Sequence, residues 1–305
     1  MLRFEGLSLV VEDFLREQSF RVDSGAVGSA QIVGIRGAQT RRDGAGRVKG
    51  ISVTARPAGI TDRYDDVIFV CGRKANGDRY SDVFQASLQP GRASFALSYY
   101  RNRGCPIVQP GQYQYRRGTH NPPSGNSYSA MVQRAQIVVV RDYDQDAVQE
   151  ATDRWDYPAG GLNIHAGGTG ASVGRWSEGC QVIWGGRASG SPWSRFKHLI
   201  YEVATKQTVF HYTLVDGGFF GRWFDMRDAS RSDAGTRSDA DTRSDADTRR
   251  LWFGSHGEAV AALQEKLVKL GHYHAGGVDG EFGVKTHQAV RRWQAAEGKA
   301  VTGVV

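Results

Sequence analysis

The chain has 305 residues, of which 40% are hydrophobic, and a formal net charge of +7. This length exceeds one typical domain and the apolar content suffices for real cores, so we expect two folded domains. The positive charge favours polyanionic surroundings, but no block of Lys and Arg with interleaved aromatics indicates nucleic acid binding, and no apolar run approaches the roughly 20 residues that cross a membrane.

The N-terminal segment does not have the pattern of a signal peptide. Charged residues at positions 12, 13, 16 and 17 interrupt any apolar core. We therefore expect synthesis in the cytoplasm, followed by release or delivery if the protein acts outside. Residues 8–19 have helical apolar spacing and predict a short amphipathic helix.

Residues 31–141 change to short apolar runs separated by Gly, Asp and Asn. These runs predict strands at 31–35, 67–70, 93–97 and 136–140. Asn76-Gly77 predicts a type I′ hairpin turn, because this dipeptide tolerates positive φ. Further along, residues 193–205 predict a helix and 208–215 another strand. The first 230 residues are therefore expected to be mostly β.

Residues 231–250 form a hexapeptide array of the type Arg-Ser-Asp-Ala-Asp-Thr. The array has no apolar side chain larger than Ala, so it cannot bury enough surface to offset the entropy of ordering. We interpret it as a linker, with a charged single helix as the alternative. In either case it separates a domain at 1–230 from a module at 251–305.

The period after the array is helical, with a turn between two helices. Val260, Leu263 and Leu267 recur at helical steps, and Gly271 is expected to end the first helix. This pattern and the turn Val278-Asp279-Gly280-Glu281-Phe282-Gly283 resemble a peptidoglycan-binding domain of the helical type-1 family. The resemblance implies an all-α module with a truncated final helix. It also implies wall binding through the turn residues Asp279, Gly280, Phe282 and Gly283.

The stretch with the strongest chemical content runs from Asn163 to Ile183. A histidine, His165, closes a short apolar run; a glycine-rich loop follows and ends in Ser177-Glu178-Gly179-Cys180. A thiol becomes an acyl-transfer catalyst when a base and backbone donors accompany it. This segment contains all three kinds of group.

The same segment resembles the catalytic motif of L,D-transpeptidases, as does Gln109-Pro110-Gly111-Gln112-Tyr113 upstream. The resemblance implies that Cys180 is the nucleophile, His165 its base, and the Ala166 carbonyl the group that orients the ring. It implies an oxyanion site at the amides of Gly179 and Cys180. Two positions depart from the family: Glu178 replaces a histidine, and Gln181-Val182 replaces Ile-Arg. The substrate-binding candidates are Ser177, Glu178, Gln181 and Trp176.

The three cysteines have neither metal-ligand spacing nor an even-numbered disulfide framework. One disulfide with one free thiol, or three free thiols, are both open. We interpret Cys71 as a core residue. We expect no metal and no cofactor.

The sequence thus predicts an α+β protein in two domains, a mostly β, sandwich-like L,D-transpeptidase-like catalytic domain and a small all-α wall-binding module. The predicted partners are peptidoglycan stem peptides and wall glycan, and we expect a monomer. The predicted activity is acyl transfer or hydrolysis through a Cys180 thioester, as in a phage lysin or a delivered effector. Two alternatives stay open: a zinc-dependent peptidoglycan hydrolase using His120, His165 and Cys180, and a non-catalytic wall-binding protein.

Overall fold

The computed structural model describes residues 2–3, 6–42, 48–54, 60–121, 125–150, 153–232, 249–273 and 278–305. The strands are β1 (Leu2–Arg3), β2 (Ser29–Arg36), β3 (Ala38–Arg42), β4 (Val48–Val53), β5 (Asp66–Arg73), β6 (Arg79–Ser87), β7 (Cys105–Val108), β8 (Gly111–His120), β9 (Tyr128–Gln133), β10 (Val139–Asp142), β11 (Arg154–Asp156), β12 (Ile164–Ala166), β13 (Gln181–Ile183) and β14 (Phe210–Asp216). The helices are α1 (Leu7–Glu17), α2 (Arg92–Phe95), α3 (Pro192–His198), α4 (Gly217–Ser232), α5 (Glu258–Lys269) and α6 (Val284–Ala296). A π-helical segment, Leu199–Val203, continues α3.

Eight strands form a closed barrel in the order β12-β13-β6-β5-β2-β14-β8-β9, and the pairing of β12 with β9 closes it. Two small three-stranded sheets flank it, β1-β4-β3 and β11-β10-β7. The mostly β prediction is confirmed. The sandwich-like arrangement is not what forms, because closure pairs the strands that would otherwise be sheet edges.

At β2 and β5 the barrel wall is buried on both faces because it separates two cores. One core lies inside the barrel and includes Ile32, Phe84 and Tyr212. The other lies outside it, where α1 and α4 cover the wall with Phe14 and Phe220. Every residue of β2 is consequently buried, and its sequence lacks the alternation of a half-exposed strand.

Most of the predicted elements of the N-terminal domain form, and the exceptions have local causes. Residues 93–97 are predicted to be a strand, but residues 93–95 belong to α2, because a short apolar run does not distinguish a strand from a helix. Its Ser94 Oγ donates to the Ser177 carbonyl at 2.8 Å, which fixes the segment against another loop. In the run 136–140 the strand begins only at Val139.

The hairpin between β5 and β6 turns at Asn76-Gly77, as predicted, but by a different geometry. Gly77 has a φ of 88°, whereas Asn76 is absent from the residues with positive φ. The Gly77 N–H donates to the Lys74 carbonyl at 3.0 Å, and the Lys74 N–H donates to Asp78 at 2.9 Å. A type I turn followed by a left-handed glycine therefore replaces the expected type I′ turn.

The C-terminal module contains the two predicted helices, α5 and α6, and residues 297–305 have no helix. Its small core includes Val260, Leu267 and Phe282. Val305 lies against the start of the module, where its N–H donates to the Leu251 carbonyl at 3.1 Å.

The module lies directly against the N-terminal domain. Arg21 forms an ion pair with Glu281 at 2.7 Å, and the His256 N–H donates to the Ser19 carbonyl at 2.8 Å. Trp252, only 4% exposed, packs into the outer core of the N-terminal domain. The two regions thus share buried apolar surface as well as polar contacts.

Most of the array predicted as a linker, residues 233–248, lies outside the described residues. Its two ends are described: α4 continues to Ser232, and the Arg250 N–H donates to the Gln18 side chain at 2.9 Å. The domain boundaries remain predictions.

In the part of the chain described, no helix has the length and apolar character needed to cross a membrane.

His287 on α6 makes a buried contact between the two regions. Its Nδ1 lies 2.9 Å from the Tyr157 hydroxyl, and its ring lies 5.2 Å from the Trp155 ring. Burial, with a smaller contribution from Arg291, lowers the pKa of His287 to about 3. The folded protein therefore holds this imidazole neutral at pH values where the unfolded chain protonates it.

We expect acid to destabilise the fold through this residue. Between pH 6.5 and 4 the unfolded state binds a proton at position 287 that the folded state does not, so the free energy of unfolding should fall as pH falls. His287→Gln should flatten the pH dependence of the melting temperature, measured by circular dichroism from pH 4 to 7. His198→Gln, at a largely exposed position, is the control. A His287→Gln slope equal to that of the wild type would contradict the prediction.

Candidate functional site

The site is built on two neighbouring parallel strands of the barrel. β12 and β13 pair with Ile164 opposite Gln181 and His165 opposite Val182. Cys180 directly precedes β13, so the pairing brings it beside β12. Parallel neighbours need a crossover connection, and the glycine-rich loop 167–180 is that connection.

Three potential ligand or acid–base groups converge at this point. One ring nitrogen each of His120 and His165 and the Cys180 sulfur lie within 4.8 Å of one another. The two imidazole rings stack with centroids 4.0 Å apart and planes 18° from parallel. The structure therefore brings together the predicted nucleophile, the predicted base and the histidine of the zinc alternative.

The hydrogen bonds of His165 define its tautomer. Nδ1 lies 2.8 Å from the Ala166 carbonyl oxygen, the contact that the resemblance implied. A carbonyl oxygen only accepts, so Nδ1 carries the proton and the Nε2 lone pair is left as a base or metal ligand. The Tyr128 hydroxyl lies 2.9 Å from the same Nδ1 and holds the ring from a second strand.

Both the thiol and the imidazole are buried and neutral. Burial lowers the pKa of His165 to about 3; the charge of His120 adds to this shift and the hydrogen bond to Ala166 opposes it. Burial raises the pKa of Cys180 to about 11; the Asn163 N–H opposes this and Glu178 adds to it. The resting site is thus a thiol beside a neutral imidazole, and the proton must move when substrate arrives.

The thiol has two backbone partners. The Asn163 N–H donates to Sγ at 3.3 Å, and Sγ–H donates to the Gly161 carbonyl at 3.4 Å. Both partners lie in the segment that enters β12. The sulfur is therefore positioned by the strand that also carries the base.

Gly179 is required by its surroundings. Its φ is 113°, and a Cβ here would lie 2.8 Å from both Leu162 and the Pro106 carbonyl oxygen. The atoms that approach this glycine are therefore the protein's own. Its N–H donates to Ser177 Oγ at 3.3 Å. An oxyanion would have to replace this long bond to use the amide.

The four predicted substrate contacts separate into two groups. Ser177 is fully buried and donates to the Cys180 carbonyl at 2.6 Å; Gln181 is 1% exposed and accepts from Tyr212 inside the barrel. Because both side chains are buried and hydrogen-bonded within the protein, they are not available for the substrate contacts that were predicted. Trp176 is 46% exposed, and Glu178 accepts from the Tyr100 hydroxyl at 3.2 Å. These two can still face a substrate.

Sequence reasoning missed three residues at the site. Tyr128 holds the His165 ring, Asn163 donates its side-chain amide toward His120 Nδ1 at 3.2 Å, and the Arg187 guanidinium lies 4.4 Å from the centre of the Tyr128 ring. Arg187 is exposed, and its charge contributes to lowering the pKa of His120, after burial. Asn163 precedes the histidine in the motif, but no local signal links 128 or 187 to it.

The turn residues of the C-terminal module have structural partners. Gln264 donates to Asp279 at 2.7 Å and accepts from the Gly280 N–H at 2.9 Å. Phe282 is 1% exposed and belongs to the module core, and Gly283 is the N-cap of α6. Burial of Phe282 makes its predicted wall contact incompatible with this packing; wall contact by the other three residues stays a prediction.

All three cysteines are free, which removes the disulfide alternative. Burial also raises the pKa of Cys71, to about 12. Cys105 is buried as well.

We expect the reactivity of Cys180 to increase steeply with pH. Because its pKa is raised to about 11, the thiolate fraction should rise about tenfold per pH unit from pH 7 to 10. Iodoacetamide labelling at each pH, with the Cys180 peptide quantified by mass spectrometry, measures this rate. Cys180→Ala identifies the background. A plateau reached below pH 8 would contradict a neutral resting thiol.

Comparison with known proteins gives one match. Residues 256–305 match the model of the family "Putative peptidoglycan binding domain". No curated protein and no solved structure matches the chain. The match covers the module of α5 and α6 and agrees with the resemblance of its turn. Residues 256–305 therefore form a peptidoglycan-binding domain, which associates this protein with the cell wall.

Proposed function

We propose that the protein is a peptidoglycan-active cysteine acyl-transfer enzyme of the L,D-transpeptidase type, with Cys180 as nucleophile and His165 as base. The observation that carries the proposal is the group of His165 and Cys180, with ring nitrogen and sulfur within 4.8 Å, in a chain that also contains a wall-binding domain. The Nδ1 bond to Ala166 supports it, because it leaves Nε2 as the free base.

The chemistry follows from the neutral resting state. His165 Nε2 takes the thiol proton as Cys180 Sγ attacks a stem-peptide carbonyl, and a tetrahedral oxyanion forms. The imidazolium then returns its proton to the departing amine as the C–N bond breaks, which leaves a thioester on Cys180. An amine or water attacks the thioester and gives a proton to His165. The C–S bond then breaks, the acyl group is released, and the imidazolium returns the proton to Cys180 Sγ, so the thiol and the neutral imidazole are regenerated.

Burial of the pair favours this concerted transfer. A separated thiolate–imidazolium pair would place two charges in a site where His165 is 3% and Cys180 6% exposed. Such charges are costly unless they are paired or solvated. A bound substrate excludes water, and its carbonyl carbon accepts the electron pair of the sulfur as the proton leaves. The separated thiolate–imidazolium pair therefore does not need to form first.

We expect Cys180→Ala to lower muropeptide turnover by at least about 10³-fold, because the nucleophile is lost. Purified muropeptides incubated with the protein and analysed by mass spectrometry give the rate and the products, and Cys180→Ser tests the thiol specifically. Cys71→Ala is the matched control, since this thiol lies in the outer core. Turnover that persists in Cys180→Ala would contradict the proposed chemistry and would mean that another group catalyses the reaction, whereas no turnover by the wild type would favour a binding protein.

A positive charge at the rim of the site has a place in this reaction. Arg187 is exposed beside Tyr128, and the described residues include no carboxylate within ion-pair distance of it. A guanidinium binds carboxylates through two parallel hydrogen bonds. We assign it to a carboxylate of the stem peptide, the group for which the motif supplies no arginine after Cys180.

Arg187→Ala should raise KM about tenfold or more, since one charge-assisted contact is lost, and should change kcat less. Steady-state kinetics with a stem tetrapeptide measure both constants, and the same peptide with an amidated C-terminus tests the carboxylate. Lys197→Ala, at an exposed position on α3, is the control. Equal KM values for wild type and Arg187→Ala would remove the assignment.

A second candidate function rests on the same cluster. His120, His165 and Cys180 are ligand types that zinc prefers, and a three-ligand site with an open position is typical of catalytic zinc. The Ala166 carbonyl would orient His165 by accepting from its Nδ1–H. The 4.8 Å limit exceeds the roughly 3.5 Å between ligands of one tetrahedral zinc, so the set would have to contract. Such a zinc ion would activate a water for peptide hydrolysis.

Chelation separates the two candidates. The thiol mechanism predicts full turnover in EDTA and loss of turnover after alkylation of Cys180. A zinc hydrolase predicts one equivalent of zinc by elemental analysis of the purified protein, and loss of activity in chelator that added zinc restores.

A further inference from the structure

A large cleft lies between the two regions of the protein. Its volume is about 1270 Å³, and residues from both regions line it. The N-terminal domain contributes Gln149, Glu150 and Trp155, and the module contributes Arg291, Arg292 and Lys299. We call it the interdomain cleft.

The interdomain cleft contains an excess of cations without ion pairs. Arg250, Arg291, Arg292 and Lys299 line it, against two acidic side chains, Glu150 and Asp216. Within the described ranges none of these four cations is within 4.0 Å of a carboxylate, whereas Arg21, Arg141, Arg195 and Arg227 all form ion pairs. Arg292 donates to the His272 carbonyl at 2.8 Å, but a carbonyl does not neutralise its charge. Guanidinium groups that share one cleft without a carboxylate partner favour an anionic ligand.

The guanidinium of Arg291 is held in place but not fully satisfied. It lies 4.5 Å from the centre of the Trp155 ring, across the boundary between the two regions. Its Nε is buried and has no hydrogen-bond partner in the described structure. A buried donor without a partner is costly, and a ligand carboxylate would supply an acceptor near it.

The side chains that line the interdomain cleft favour a ligand with carboxylates over a neutral sugar. Arg291 lies over the Trp155 ring, the His287 ring lies 5.2 Å from the same ring, and Trp252 is only 4% exposed, so the cleft offers little open ring surface for stacking on sugar. Guanidinium and ammonium groups instead match carboxylates, which peptidoglycan carries on its stem peptides.

The interdomain cleft is close to the candidate site along one strand. Gln109 follows β7 and lines the cleft, while Pro106 on β7 contacts Gly179 beside Cys180. Three residues of strand span about 10 Å. A wall segment held in the cleft would therefore place a neighbouring stem peptide within reach of the thiol.

We propose that the interdomain cleft binds the carboxylates of peptidoglycan stem peptides and holds the wall beside Cys180. This rests on the proposed function for the identity of the reacting stem, but the binding itself needs no chemistry at Cys180. The surface that binds the cell wall is then composite, because each region of the protein contributes one side of the cleft.

Sedimentation of the full-length protein with purified sacculi free of teichoic acid tests the cleft. Arg292→Glu combined with Lys299→Glu should weaken binding at low salt by about tenfold or more, and should reduce the dependence on salt. Lys266→Glu combined with Lys269→Glu, on exposed positions of α5 outside the cleft, is the charge-matched control and should bind like wild type. Equally weakened binding to sacculi in both double variants would contradict the cleft proposal and would indicate general charge attraction instead.

A variant on the opposite wall tests whether the surface is composite. Gln149→Glu adds a negative charge to the N-terminal wall with almost no change in shape, and should weaken binding about threefold. Unchanged binding would mean that the module alone contacts the wall. Sacculi with amidated stem carboxylates should bind the wild type as weakly as normal sacculi bind the double variant; undiminished binding would overturn the assignment to carboxylates.

The outcomes for the cleft and for the chemistry are separable. If Cys180→Ala abolishes turnover while the cleft variants bind normally, the cleft proposal fails alone. If Cys180→Ala leaves turnover intact while the cleft variants lose binding, the thiol mechanism fails and the cleft stands.

Discussion

The parallel pairing of β12 with β13 is the constraint on which the candidate site depends. It sets Ile164 opposite Gln181 and so brings Cys180 beside the strand that carries His165. The crossover between them has to leave one strand, pass outside the barrel and return to its neighbour. Gly179 meets that demand with a φ of 113°, and Ser177 secures the return by its bond to the Cys180 carbonyl. The loop between β12 and β13 is thus tied to the barrel wall. The register of these two strands fixes where His165 and Cys180 lie relative to each other.

Burial gives the site its chemical character. The same packing that closes the barrel removes water from both His165 and Cys180, so the imidazole loses basicity and the thiol loses acidity. These two shifts oppose formation of an ion pair at rest. A site of this kind is protected from alkylation and oxidation until a ligand changes its surroundings, because the thiolate is the reactive form. Glu178, where the resembled family has a histidine, adds to this effect.

Contact between the module and the N-terminal domain changes how cell-wall binding could serve the proposed reaction. A module on a free tether would raise local concentration without orienting the wall. Here Trp252 enters the outer core, His287 meets Tyr157, and Arg21 pairs with Glu281. These contacts fix one wall of the interdomain cleft relative to the other. A ligand that spans both walls would be oriented toward Cys180 as well as concentrated near it.

Features whose signal lies within a few residues follow from the amino-acid order alone. The helical period of the module, the turn at residues 278–283, the β-rich first domain and the histidine–thiol motif were all predictable because spacing and turn chemistry act locally. Tertiary structure decided everything that depends on distant partners: closure of the barrel, the positions of Tyr128 and Arg187 at the site, and the inward direction of Gln181 and Phe282. The linker pattern predicted two separate domains, yet the described regions before and after the array pack against each other. The physical reason is that burial and charge pairing are set by which surfaces meet in the folded chain, and one residue's neighbours in sequence do not specify them.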